Sequence, residues 1–75
     1  MQPDLRDASY IWDMLDNART ADEIIKGMDL QQYLADRKVQ LAVERLVEII
    51  GEAARRISEE FRQAHPEIAW RGIIA

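Results

Sequence analysis

The run from Arg37 to about Arg62 constrains this chain most, because Val39, Val43, Leu46, Ile50, Ala54, Ile57 and Phe61 succeed one another every three or four residues. That spacing is the signature of a long amphipathic helix and is incompatible with the alternation of a strand. Projected at 100° per residue, Val47 falls on the same stripe, and Ala42, Ile49 and Ala53 widen it to an arc of roughly 160°. So broad an arc needs cover on more than one side. Either the helix lies between two others of its own bundle, or the part richest in small residues faces another subunit. Gly51 costs about 1 kcal/mol relative to alanine inside a helix, and close approach of another backbone is its expected compensation. Ala42, Ile49, Gly51 and Ala53 are therefore the candidate subunit contacts.

The rest of the chain is helical in composition too, and turn dipeptides between alternating apolar runs are missing. A first helix is expected from Pro3 or Asp4, with Asp4 and Asp7 at the positive end of its dipole. Its apolar face is Leu5, Ala8, Ile11, Trp12, Leu15 and Ala18; Ile24 and Ile25 continue it, and Gly27 is placed to close it. Asp29-Leu30-Gln31-Gln32 reads as a capping box that opens another turn at Leu30, and Asp36 recaps the chain before the long helix. His65-Pro66 ends that helix, and Ile68 to Ala75 reads as the opening turns of one more, with Ile68, Trp70, Ile73 and Ile74 apolar. The pattern is that of an all-α protein in a single domain, interrupted at Ala75 without a terminating signal.

Seventy-five residues bury only about 60% of the surface of their unfolded chain, so such a domain is marginal alone. There is no cysteine, which excludes disulfides and thiolate zinc sites, and a single histidine leaves little for a transition metal; no cofactor is expected. No basic-then-apolar leader and no run of roughly 18 apolar residues is present, so a cytoplasmic location away from membranes is the expectation.

The net charge of −4 excludes polyanion binding by overall basicity. The balance is uneven: residues 1–36 hold eight acids and three bases, residues 37–75 six acids and seven bases. Any contact with RNA or another anionic partner thus belongs to the second half, where Arg37, Lys38 and Arg45 form the clearest basic stretch. Glu44, Glu48 and Glu52, interleaved with Arg45, Arg55 and Arg56, read as a solvated ladder of weak ion pairs. His65 is either a general base or RNA contact, or a loop residue capping a helix end. The scattered aromatics Tyr10, Trp12, Tyr33, Phe61 and Trp70 either stack on bases or, more simply, pack in the core. One histidine, one threonine and two serines give no nucleophile-base-orienter triad.

Several blocks taken together carry a resemblance. They are Leu5-Arg6-Asp7 with Ile11-Trp12-Asp13-Met14-Leu15, then Tyr33-Leu34-Ala35-Asp36-Arg37-Lys38 running into Ala42-Val43-Glu44-Arg45, then Glu48-Ile49-Ile50-Gly51-Glu52-Ala53-Ala54, and finally His65-Pro66-Glu67-Ile68-Ala69-Trp70-Arg71. In this order the chain resembles the HepT-like toxins of the HEPN superfamily. The resemblance implies an antiparallel up-and-down helical bundle and a homodimer. It also implies a type II or VII toxin-antitoxin role, with a minimal nucleotidyltransferase of the MntA kind as partner and RNA as substrate. Toxins of that family are metal-independent RNA endonucleases that use an Arg-x4–6-His motif on a later helix, often followed by a tyrosine that the partner adenylylates.

That motif does not occur in these residues. Arg62 and His65 are separated by only two residues, and neither His65 nor Arg71 aligns with the catalytic pair. The expectation is a C-terminally incomplete HepT-like domain, residues 1–75, lacking its last helix, dimeric, without catalytic residues and inactive as it stands. The alternative is a non-catalytic helical dimerisation or binding module that docks on a nucleotidyltransferase.

Overall fold

The computed structural model describes residues 5–74. Five helices follow one another, α1 (Leu5–Ile25), α2 (Leu30–Ala35), α3 (Arg37–Arg56), α4 (Glu59–Ala64) and α5 (Trp70–Ile74), and no strand occurs among the described residues. The all-α expectation holds. The expected helix start at Pro3 or Asp4 and the final Ala75 lie outside the described residues.

The elbow between the two long helices follows its local chemistry. Gly27 takes φ +80°, a conformation that side-chain-bearing residues rarely adopt, and Met28 N–H closes on the Ile25 carbonyl at 2.9 Å. Asp29 then forms the expected capping box: its carboxylate accepts from Gln32 N–H at 2.8 Å, and the Gln32 side chain accepts from Asp29 N–H at 2.9 Å. Asp36 ends α2 and caps α3, accepting from Val39 N–H at 3.1 Å. Such a cap contributes about 1 kcal/mol. The Gln40 amide donates to the Tyr33 and Leu34 carbonyls at 2.9 and 2.8 Å, tying the start of α3 to the end of α2, where Tyr33 also accepts from Asp36 N–H.

Two readings of the sequence need correction, and both have one cause. The long helix does not run to Arg62. It stops at Arg56, Ile57 and Ser58 are extended (ψ 138° and 147°), and a separate α4 begins at Glu59. Ser58 caps α4, its hydroxyl accepting from Phe61 N–H at 3.1 Å, with Glu59 and Glu60 in the first turn. The Asp7 carboxylate receives both the Ser58 N–H, at 2.8 Å, and the Ser58 O–H, at 2.7 Å. Asp7 is therefore not merely a charge at a helix start. It is 5% exposed and joins the beginning of α1 to the end of α3, which makes the two helices antiparallel.

The same contact sets the rotation of α1. With Asp7 turned inward, the residues that follow at helical spacing, Tyr10, Ile11, Met14, Asn17, Ala21 and Ile24, become the half-buried face. Leu5, Trp12 and Leu15, expected inside, are 87%, 59% and 42% exposed. On α3, Val47 is likewise outside the core. The core proper is Ala53, Ala54 and Ile57, small residues at 53 and 54 permitting close approach of neighbouring elements. Around it the molecule measures 45 × 20 × 17 Å.

Beyond the break the chain folds back onto α3. A Cβ at Gly51 would stand 3.0 Å from the Ile73 carbonyl oxygen, so the interior glycine admits the backbone of α5. Arg55 donates to the Ile74 carbonyl at 3.3 Å, and the Trp70 indole N–H donates to the His65 carbonyl at 3.0 Å. Helix α5 begins at Trp70, two residues after the expected Ile68, because the turn after Pro66 occupies the intervening residues.

Asp7→Ala should lower stability by about 2 kcal/mol, because it leaves two donors of Ser58 without their acceptor in a buried place. Asp7→Asn, which keeps an acceptor oxygen, should cost less. Urea unfolding followed by circular dichroism checks both, and equal midpoints for wild type and Asp7→Ala would contradict the structure.

Candidate functional site

Folding α4 and α5 back beside α1 leaves an apolar groove of about 470 Å³. Its walls are Ile11, Met14, Leu15 and Ala18 of α1, Ile50 of α3, Phe61 and His65 at α4, and Ile68, Trp70 and Ile73 at α5. Amphipathic spacing on α1 and α3 provides two walls. The aromatic wall follows from the Ser58 break, which turns Phe61 out of the α3 stripe and toward His65, with ring centroids 4.5 Å apart, and toward Trp70, 6.3 Å away and edge-on.

His65 closes α4, its N–H reaching the Arg62 carbonyl at 3.2 Å, and Nδ1 lies 2.9 Å from Glu67 Oε2. The histidine hydrogen bond, aided by a backbone N–H, holds the Glu67 carboxyl below its ordinary value of 4.5. The ring thus meets Glu67 while the His65 backbone, not the imidazole, closes α4, and no second imidazole exists in the chain to assist it.

The opposite side of the α1–α3 pair is polar. Arg45 pairs with Glu48 at 3.3 Å, and Glu52 takes both Arg55 and Arg56, at 3.2 and 3.1 Å. These side chains are more than half exposed, so each pair contributes a few tenths of a kcal/mol at most. Tyr10 beside Arg56, and then Glu52, raise the guanidinium further above its already high pKa. With Asp13 these groups line a recess between α1 and α3. No cluster of three His, Cys, Asp or Glu side chains suited to a metal ion occurs among the described residues.

The residues singled out from sequence are divided among several places. Arg37 and Lys38 lie at the start of α3, at the elbow, where Lys26 joins them on one concave surface. Arg45 is not with them; Glu48 engages it in the polar recess. Of the candidate subunit contacts, Gly51 and Ala53 are buried within this chain, Gly51 beneath the α5 backbone, while Ala42 and Ile49 are half-buried. Gly51 and Ala53 thus pack inside this chain. Arg62 and Arg71, set aside as catalytic residues in the sequence and not paired there, line one cleft between α4 and α5. The His65-Pro66 helix stop was the signal for the turn that unites them.

Glu67 gives a measurable signature of this turn. Because its folded pKa is depressed, the contact contributes above the ordinary carboxylate range and is lost as pH falls through the depressed value. The Glu67 carboxyl carbon should titrate below 4.5 by NMR and move back toward that value in His65→Ala. Identical titration curves in the two proteins would contradict the contact.

Similarity to known proteins agrees with this architecture. Residues 14–75 match the family described as Ribonuclease HepT-like. A Thermococcus cleftensis protein named Probable ribonuclease HepT is 39% identical over 62 residues, covering 83% of this chain and 56% of the relative. Two Methanocaldococcus jannaschii proteins, provisionally named as RNases, are each 32% identical, over 65 residues (87% of this chain, 54% of the relative) and 66 residues (88% and 61%). The chain spans about half the length of the curated relatives it matches. No solved structure matches. No described helix is long and apolar enough to cross a membrane. With most of its length matched, and with the all-helical architecture expected of that group, the chain belongs to the HepT-like ribonuclease family.

Proposed function

We propose that this chain is the scaffold part of a HepT-like RNA endonuclease, the toxin component of a toxin-antitoxin pair, and that these 75 residues alone do not cut RNA. The apolar groove carries the reading. It is a helix-sized surface, walled by α1, α3 and the α4–α5 turn, in a sequence without an Arg-x4–6-His pair. A helix bearing that pair, seated in the groove, would bury the groove side chains, each worth about 1.5–3 kcal/mol when fully covered. It would also stand its arginine and histidine at the rim. The chemistry would then be metal-independent, with arginine steadying the scissile phosphate and histidine moving a proton as the RNA 2′-hydroxyl attacks.

Two copies act together in this reading. Leu5 and Trp12 are strongly exposed and do not line the groove, so closing the groove leaves them in water. A second copy covers them, which moves the proposed subunit contact from Gly51 and Ala53 on α3 to the outer side of α1.

A second reading is favoured by the elbow. Lys26, Arg37 and Lys38 share a surface with one acid, Asp36, which is already engaged as a cap. Such a corner suits an acidic protein face, and in this reading the chain is a non-catalytic module docked on a minimal nucleotidyltransferase.

Incubated with single-stranded RNA, the 75-residue chain should leave the substrate intact with or without chelator. Cleavage that disappears in His65→Ala would contradict the proposal, because it would place the working histidine inside these residues. Growth arrest on expression of these 75 residues would contradict their inactivity, and co-purification with a co-expressed nucleotidyltransferase without arrest supports the docking module. Sedimentation at micromolar concentration should give twice 8.7 kDa for the wild type and 8.7 kDa for Trp12→Glu. A folded wild-type monomer would exclude the dimer.

A further inference from the structure

The cleft between α4 and α5 joins two arginines from different helices, and we propose that it holds phosphates of an RNA backbone, with Arg62 and Arg71 as the contacting cations. Arg62 comes from α4 and Arg71 from α5, and the turn after His65 brings both to one concave surface with Gln63 and Trp70. On α3, by contrast, Arg45, Arg55 and Arg56 each lie within 3.3 Å of a glutamate. Neither Arg62 nor Arg71 has an acidic partner among the described residues. Arg62 is half-buried, and its Nε is buried and donates to nothing, so no acidic side chain among the described residues neutralises the guanidinium through it. The one acid on the rim, Glu59, accepts from the Gln63 amide at 3.4 Å.

A planar guanidinium with free donors matches a phosphate oxygen pair better than it matches a neutral ligand. Trp70 adds a partly open aromatic surface beside the cations, the combination by which single strands are held through backbone and base together. Ile68 and Trp70 belong to both the cleft and the apolar groove, so a strand held by the two arginines runs past the groove rim. The inference rests on the reading of the chain as part of an RNase, for which it names the surface that positions substrate.

The test is fluorescence anisotropy of a labelled single-stranded oligoribonucleotide with the 75-residue chain, across a salt series. Arg62→Gln with Arg71→Gln should weaken binding at least tenfold and flatten the slope of log K against log salt by about 1.4, since each phosphate neutralised on a single strand contributes about 0.7. Arg71→Gln alone changes an exposed side chain and should weaken binding about threefold without altering the circular dichroism melt. Glu59→Gln should tighten it severalfold. Arg37→Gln with Lys38→Gln, at the opposite end of the molecule, should leave it unchanged. Wild-type affinity and slope in the double arginine variant, or a loss confined to the Arg37 and Lys38 variant, would overturn the site. Those outcomes leave the groove reading standing, whereas His65-dependent cleavage would remove that reading without touching the phosphate contact.

Discussion

Asp7 and Ser58 hold the rest of the structure in place. A carboxylate that is 5% exposed requires strong partners, and this one receives the backbone N–H and the hydroxyl of a single serine 51 residues away. The bond stands where α3 would otherwise have continued. Once Ser58 N–H is committed to Asp7, it no longer serves the next helical turn, and Ala54 O accepts instead from Ile57 N–H at 3.2 Å. Helix α3 ends, Ile57 is driven into the core at 1% exposure, and α4 starts in a new direction with Ser58 as its cap.

The functional surfaces descend from that break. Had the helix run on, Phe61 and His65 would have continued the α3 stripe. Broken at Ser58, the chain turns them beside α1, and α5 comes back over Gly51, where a Cβ would stand 3.0 Å from the Ile73 carbonyl oxygen. The apolar groove and the arginine cleft are the two sides of this returning segment, separated by Trp70, whose indole N–H ties it to the His65 carbonyl. Packing and charge are arranged by the same few residues, so a change at the Asp7 contact reaches both surfaces.

Local rules foresaw the elbow well. Gly27, Asp29 with Gln32, and Asp36 act within four residues of themselves, and capping chemistry of that range can be read from the chain. The extent of the long helix could not be read the same way. Ile57 and Phe61 keep perfect helical spacing with Ala54, and only the Ser-Glu-Glu at residues 58–60 hints at a new start. The decisive partner lies 51 residues earlier, beyond any local pattern. Periodicity misjudged the face of α1 for a related reason, since it ranks Leu5 and Trp12 above an aspartate for burial and cannot see that Asp7 has a donor waiting. The basic residues divide similarly: Arg37 and Lys38 are adjacent in sequence and visible as a pair, whereas Arg62 and Arg71 meet only through the α4–α5 turn.

Backbone carbon chemical shifts at Ile57 and Ser58 test the central claim, that the Asp7 contact breaks the long helix, most directly. The account predicts extended values at both residues, bounded by helical values through Arg56 and from Glu59 onward, with the break lost or disordered in Asp7→Ala. Unbroken helical shifts from Arg37 to Arg62 in the wild-type chain would contradict it.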